Sequence, residues 1–281
     1  MSWVIQKARL ALPAGLIVVL YADVVASMVA RWWEDEGYSH AFLVVPLAAY
    51  MGWKQRGALA SLPARPDRRG LLGVALACVC YVVGTLGAEF FLTRISLLLL
   101  LGGLVWTWWG VERLRRVAFP LLLVASAVPL PVLVYNRLAA PLQLLASAVS
   151  TEVAHSLGIS VYRDGNIIYL ANTSLGVAEA CSGLRSVSSL TVAALLLAYL
   201  ELRRTATRLA LVLVAVPIAV LSNVVRVAGT AVLSEHDPSA GLGFYHGFSG
   251  WLIFLCGFGL LWAACRLLQR CLEAARGRSQ S

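Results

Sequence analysis

Long apolar runs separated by short polar segments dominate the chain. They lie near 10–30, 40–53, 70–88, 91–110, 117–135, 183–200, 209–233 and 250–268. A helix needs about 20 residues to cross a hydrocarbon core of ~30 Å, so the pattern predicts eight transmembrane helices in an all-α polytopic membrane protein. The run at 40–53 reaches full length only if residues 37–39 join it. The first run follows two basic residues but lacks a small-x-small cleavage site, so it is expected to stay as an anchor.

Polar residues gather in three segments, 31–40, 136–180 and 234–250. In the longest, Leu138, Leu142, Leu145, Val149, Val153 and Leu157 recur every three or four residues, with Gln143, Ser150, Thr151 and Glu152 between them. That spacing predicts an amphipathic helix lying on a leaflet or lining a groove. After it, ISVYRDGNIIYLANTS places β-branched and aromatic residues on both sides of Asp164-Gly165, the pattern of a tight β-hairpin. A cap over 136–180, made of a helix and a hairpin, is therefore expected before the sixth span. The rest of 1–281 reads as a single membrane domain with a basic tail over 269–281.

Composition agrees with the pattern. At 60% hydrophobic and 13% charged residues, with mean hydropathy +0.80, the chain has too little polar surface for a soluble globule. The net charge of +9 is organised. With the N-terminus inside, seventeen of the 23 Lys and Arg residues fall in inner segments and four, Arg31, Arg94, Arg137 and Arg163, in outer ones. Arg185 and Arg226 fall within spans. Basic residues in short loops resist translocation, so this distribution places both termini in the cytoplasm and the three polar segments outside. The charge thus reads as a topology signal and a surface for anionic membrane lipids; no nucleic-acid partner is expected.

Three ionisable residues stand at one expected membrane depth on three helices. Cys181, in VAEACSGLRS, begins the sixth span, where free backbone N–H groups and the helix dipole favour a thiolate. Arg226, in LSNVVRVAGT, sits in the outer third of the seventh span, and an intramembrane arginine is a functional candidate unless it snorkels to the headgroups. His246, in FYHGFSGW, opens the last span. Thiol, guanidinium and imidazole together make a cysteine acyl-transfer site, as nucleophile, oxyanion stabiliser and general base and acid. Glu179, Ser182, Gly183, Arg185, Asn223, Tyr245, Tyr38 and His40 are the candidate substrate-binding or supporting residues. His155 and His236 read as surface residues, and Cys78, Cys80, Cys256, Cys265 and Cys271 as apolar packing without metal-site spacing. Neither a metal nor another cofactor is expected.

AEACSGLRS, NVVRV and HGFSGW occur here in that order. GYSHAFLVVPL, VPLPVLVYNRLAAPLQ and YRDGNIIYLANTSLGVAEACSG support them. From about Tyr38 to Trp251 the chain resembles the exosortase and archaeosortase family of membrane transpeptidases. The resemblance implies a multi-pass enzyme of the bacterial inner membrane with its active site facing the periplasm. It implies as partner a C-terminal sorting signal made of a Pro-Glu-Pro motif, a transmembrane helix and a basic tail, often in bacteria that make exopolysaccharide. By similarity, Cys181 would be the nucleophile, Arg226 the oxyanion or substrate-orienting group and His246 the base and acid. Two other readings stay open at the level of sequence: a cysteine protease that releases its product to water, and a transporter or flippase in which Arg226 binds an anionic substrate.

The charge distribution makes a topological prediction. In intact cells, single cysteines placed in 136–180 and 234–248 should react with an impermeant maleimide, and those in 54–69, 111–116 and 201–208 should not. Labelling of a cysteine at position 163 only after the inner membrane is opened would overturn it.

Overall fold

The computed structural model describes residues 2–177, 184–237 and 243–278. The chain divides into two compact units, Met1–Pro131 and Val132–Ser281. The first contains α1 (Ser2–Glu34), a 3-10 turn (Glu36–Tyr38), α2 (Ala41–Lys54), α3 (Arg56–Ser61), α4 (Gly70–Leu86), α5 (Phe90–Trp109) and α6 (Val111–Ala125). The second contains α7 (Val132–Ser156), strands β1 (Tyr162–Asp164), β2 (Ile167–Tyr169) and β3 (Ser174–Gly176), then α8 (Leu184–Glu201), α9 (Thr205–His236) and α10 (Gly243–Arg278).

Within the first unit, α4 and α5 form a tight helical hairpin. The turn between them carries Ala88 at φ +52°, and the Glu89 carboxylate accepts a hydrogen bond from the Phe91 N–H at 3.2 Å to start α5. The helices approach closely because a Cβ added to Gly103 would stand 2.7 Å from the backbone nitrogen of Val74. Small residues at such crossings let two backbones gain dispersion contacts that lipid tails cannot supply. The Tyr21 and Ser96 hydroxyls, 2.8 Å apart, join α1 to α5.

The run expected as a span over 117–135 breaks. Helix α6 ends at Ala125, and six irregular residues containing Pro129 and Pro131 follow before α7. Proline lacks the amide hydrogen that would continue a helix and clashes with the preceding turn. The exposed backbone groups need other partners in an apolar setting. Trp32 supplies one by donating its indole N–H to the Ala127 carbonyl at 2.8 Å. Tyr38 supplies another by accepting the Leu130 N–H at 3.1 Å.

In the second unit, α7 follows the predicted helical periodicity but presents its faces in the membrane sense. Leu138, Leu145, Val149, Val153 and Leu157 are exposed, whereas Ala139, Ala146, Ser147, Ser150, Thr151 and Ala154 are buried. Ser147 donates to the Gly165 carbonyl at 2.9 Å, and Thr151 to the Ser147 carbonyl at 2.8 Å, so the inward hydroxyls are satisfied. The helix, expected on the outer leaflet or lining a groove, is also long and apolar enough to cross a membrane. Among the described residues four other helical segments meet that criterion, Pro13–Glu34, Phe90–Trp109, Thr205–Glu235 and Gly247–Glu273, and Ala41–Lys54 and Gly70–Leu86 are shorter apolar helices. The protein is thus a largely helical membrane protein, and the helix expected over 117–135 is interrupted at 126–131.

The expected hairpin is present and is part of a larger sheet. β1 and β2 pair antiparallel with Asp164 opposite Ile167, and β2 pairs antiparallel with β3. The two-residue loop is Gly165-Asn166, one position later than the expected Asp164-Gly165, because Gly165 at φ +59° takes the left-handed first loop position. The third strand gives no alternation of its own over three residues; its ladder partner holds it. The sheet buries Ile168, Leu170 and Leu175 against Ala146 and Ala154 of α7 and Val224, Val227 and Ala231 of α9. A second core, of Ala194, Ala198, Leu211, Ala215, Leu261 and Cys265, joins α8, α9 and α10. The expected basic tail continues α10 as helix to Arg278.

Small residues on the buried face of α7 set how closely it packs. Ala146→Leu, at 1% exposure, should destabilise the protein by about 1–3 kcal/mol through overpacking. Leu145→Ala, on the exposed face, should change stability by less than about 0.5 kcal/mol. Thermal unfolding in one detergent compares the two.

Candidate functional site

Helix α9 carries Arg226. From Ser222 to Ser234 it is buried on most sides; Leu221, Val225 and Leu233 are exposed at multiples of four residues. The buried side includes a polar stripe: Ser222, Asn223, Arg226, Thr230 and Ser234 are all less than a tenth exposed. Three- and four-residue intervals put Asn223, Arg226, Thr230 and Ser234 on one helix face. Thr230 satisfies its hydroxyl locally by donating to the Arg226 carbonyl at 2.9 Å. The Asn223 amide oxygen is buried without a hydrogen bond among the described residues, and Asn223 lines a narrow crevice with Leu142, Val187 and Val220. It therefore does not orient Arg226 through that oxygen.

Arg226 is 8% exposed, so its side chain lies within the protein. Its guanidinium lies against α10 at Gly250, where an added Cβ would stand 2.8 Å from Nη2 and 3.0 Å from Cζ. Two turns further along α10, a Cβ on Gly257 would meet the Ser222 hydroxyl and a Leu190 methyl, each at 3.0 Å. The pairs Arg226 with Gly250 and Ser222 with Gly257 make α9 and α10 antiparallel neighbours. His246 is four residues before Gly250, one turn nearer the start of α10.

Cys181, together with Glu179, Ser182 and Gly183, lies outside the described residues. The chain enters that segment from Val177, which is 1% exposed and whose N–H donates to the Asn166 carbonyl at 2.9 Å. Val177 belongs to the same core cluster as Val224 and Val227, the residues on either side of the Arg226 turn. The described chain resumes at Leu184, and Arg185 follows, half-buried in the first turn of α8. Tyr245 and His246 lie in the first turn of α10. Tyr38 and His40 belong to the first unit, where their rings stand 6.4 Å apart and Tyr38 holds the Leu130 amide. His155 is exposed, as expected.

Sequence reading missed Gly250 and the continuation of the polar stripe through Thr230 and Ser234. The stripe was visible as hydroxyl residues four and eight positions after Arg226. Gly250 carried no signal, because one glycine in an apolar helix acquires meaning only from the neighbouring helix.

Residues 32–263 match the family model described as transmembrane exosortase. No curated protein and no solved structure matches the chain.

Proposed function

The chain belongs to the transmembrane exosortase family, and from that premise we propose that it is a membrane cysteine transpeptidase acting on C-terminal sorting signals of exported proteins. The signal would consist of a Pro-Glu-Pro motif, a transmembrane helix and a basic tail. Cleavage would occur at the periplasmic face of the bacterial inner membrane. The observation that carries the reading is a guanidinium buried inside the helical unit and turned onto α10 one helical turn from His246. Supporting it, Val177, four residues before Cys181 in sequence, packs in the same core cluster as Val224 and Val227.

The chemistry follows from three groups. The Cys181 thiolate attacks the scissile carbonyl carbon, and the carbonyl π electrons move to oxygen. The guanidinium of Arg226 donates to that oxyanion from a low-dielectric position, where a fixed donor is worth most. His246, as imidazolium, gives its proton to the departing amine nitrogen, the C–N bond breaks, and a Cys181 thioester remains. An acceptor hydroxyl or amine then attacks the thioester, His246 takes its proton, and the thiolate leaves. If water takes the acceptor's place, the same steps give hydrolysis.

Mass spectrometry of the new C-terminus of a processed reporter tests the reaction. An added group means transfer, and a free carboxylate means the hydrolytic reading. Cys181→Ala and Cys181→Ser should both insert and accumulate yet lose processing by orders of magnitude, because a serine hydroxyl is not ionised at neutral pH. Processing retained by Cys181→Ala would favour the transporter reading.

Arg226→Lys tests the oxyanion role. Lysine keeps the charge but presents a compact ammonium instead of a planar fork of donors. Processing should fall on the order of a hundredfold at matched protein level, the loss typical of a missing oxyanion donor. Near-normal processing would leave Cys181 and His246 as a dyad.

A further inference from the structure

Gly250 is where α10 meets the Arg226 guanidinium. An ideal Cβ at this position would stand 2.8 Å from Nη2, 3.0 Å from Cζ and 3.4 Å from Nη1. Distances that lengthen so gradually along the group describe a point over its flat face; beyond the edge, Cζ would be nearly a bond length farther than Nη2. The plane of the guanidinium therefore rests on the α10 backbone, in space that every other amino acid fills with at least a methyl group. The other glycines nearby differ. Gly247 and Gly259 have open space at their Cβ positions, and Gly257 faces Leu190 and Ser222.

We infer that Gly250 is a positioning residue for the proposed reaction: its missing side chain is the seat that holds the Arg226 guanidinium flat against α10, one turn from His246. The inference rests on the role proposed for Arg226. A carbon 2.8 Å from a guanidinium nitrogen is inside their contact distance, so an alanine at 250 forces something to move. The atoms met are the far end of a long side chain, which gives way more easily than two backbones fixed by helical hydrogen bonds. Alanine also favours helix more than glycine does. The substitution should therefore keep the fold and displace the guanidinium, and an oxyanion donor displaced by about 1 Å can cost on the order of a hundredfold in rate.

The test uses the full chain in membranes with a secreted reporter that ends in a Pro-Glu-Pro motif, a transmembrane helix and a basic tail. Gly250→Ala should accumulate, show no lowered melting temperature and lose at least about tenfold in processing rate. Gly259→Ala should process normally. Adding Gly250→Ala to Arg226→Lys should cost less than about threefold more, because a lysine head has no plane to seat. Normal processing by Gly250→Ala overturns the inference, as does a full multiplicative loss in the double variant, since the glycine would then act independently of Arg226. If Gly250→Ala fails to accumulate, recovery of the protein on adding Arg226→Lys supports the seat, and no recovery overturns it. Processing by Cys181→Ala rejects the cysteine reaction itself; an inactive Cys181→Ala beside a normal Gly250→Ala rejects only the role of Gly250.

Discussion

A guanidinium held inside a helical membrane unit is the constraint on which the second unit's arrangement depends. Insertion alone charges about 3 kcal/mol for an arginine at the centre of a membrane helix, before any requirement on its geometry. Arg226 meets that cost inside the protein, at 8% exposure and against the α10 backbone. Close approach is possible because α10 offers glycine at the crossing and again two turns on, where it faces Ser222 and Leu190. The polar stripe from Asn223 to Ser234 extends the same inward face, so α9 keeps its polar side within the unit and Leu221, Val225 and Leu233 outside.

The same logic governs the backbone. Helices satisfy their own amide groups, and wherever the chain leaves helix something else must do so. In the first unit the irregular residues around Pro129 and Pro131 depend on the Trp32 indole and the Tyr38 hydroxyl, two aromatic groups with one apolar and one polar end. In the second unit the short strands satisfy one another, and the sheet buries its apolar side on α7 and α9. That burial places Val177 in one core cluster with Val224 and Val227.

A helical membrane unit keeps its ionisable groups few and fixed. In a low-dielectric interior each charge acts strongly on its neighbours, so errors of position are costly and rigid backbone supports are favoured over long side chains. Resting a guanidinium on a glycine is one such support: it adds no polar group that itself requires satisfaction.

Apolar runs and short motifs determined the class, most of the helices and the hairpin, because hydrophobic length and turn residues are local properties of a chain. Family membership was legible for the same reason: AEACSGLRS, NVVRV and HGFSGW survive as strings. What tertiary structure decided were matters of facing and of interruption. The run at 117–135 read as one span because hydropathy does not register a broken helix, and the break at Pro129 and Pro131 is viable only because Trp32 and Tyr38 arrive from a distant part of the chain. The leucines of α7 marked an apolar face correctly, but that this face turns outward while Ala146, Ser150 and Ala154 turn in depends on what packs there. Gly250 is the clearest case: in sequence it is a helix-weakening residue, and only the approach of Arg226 from the neighbouring helix gives the absence of a side chain a physical consequence.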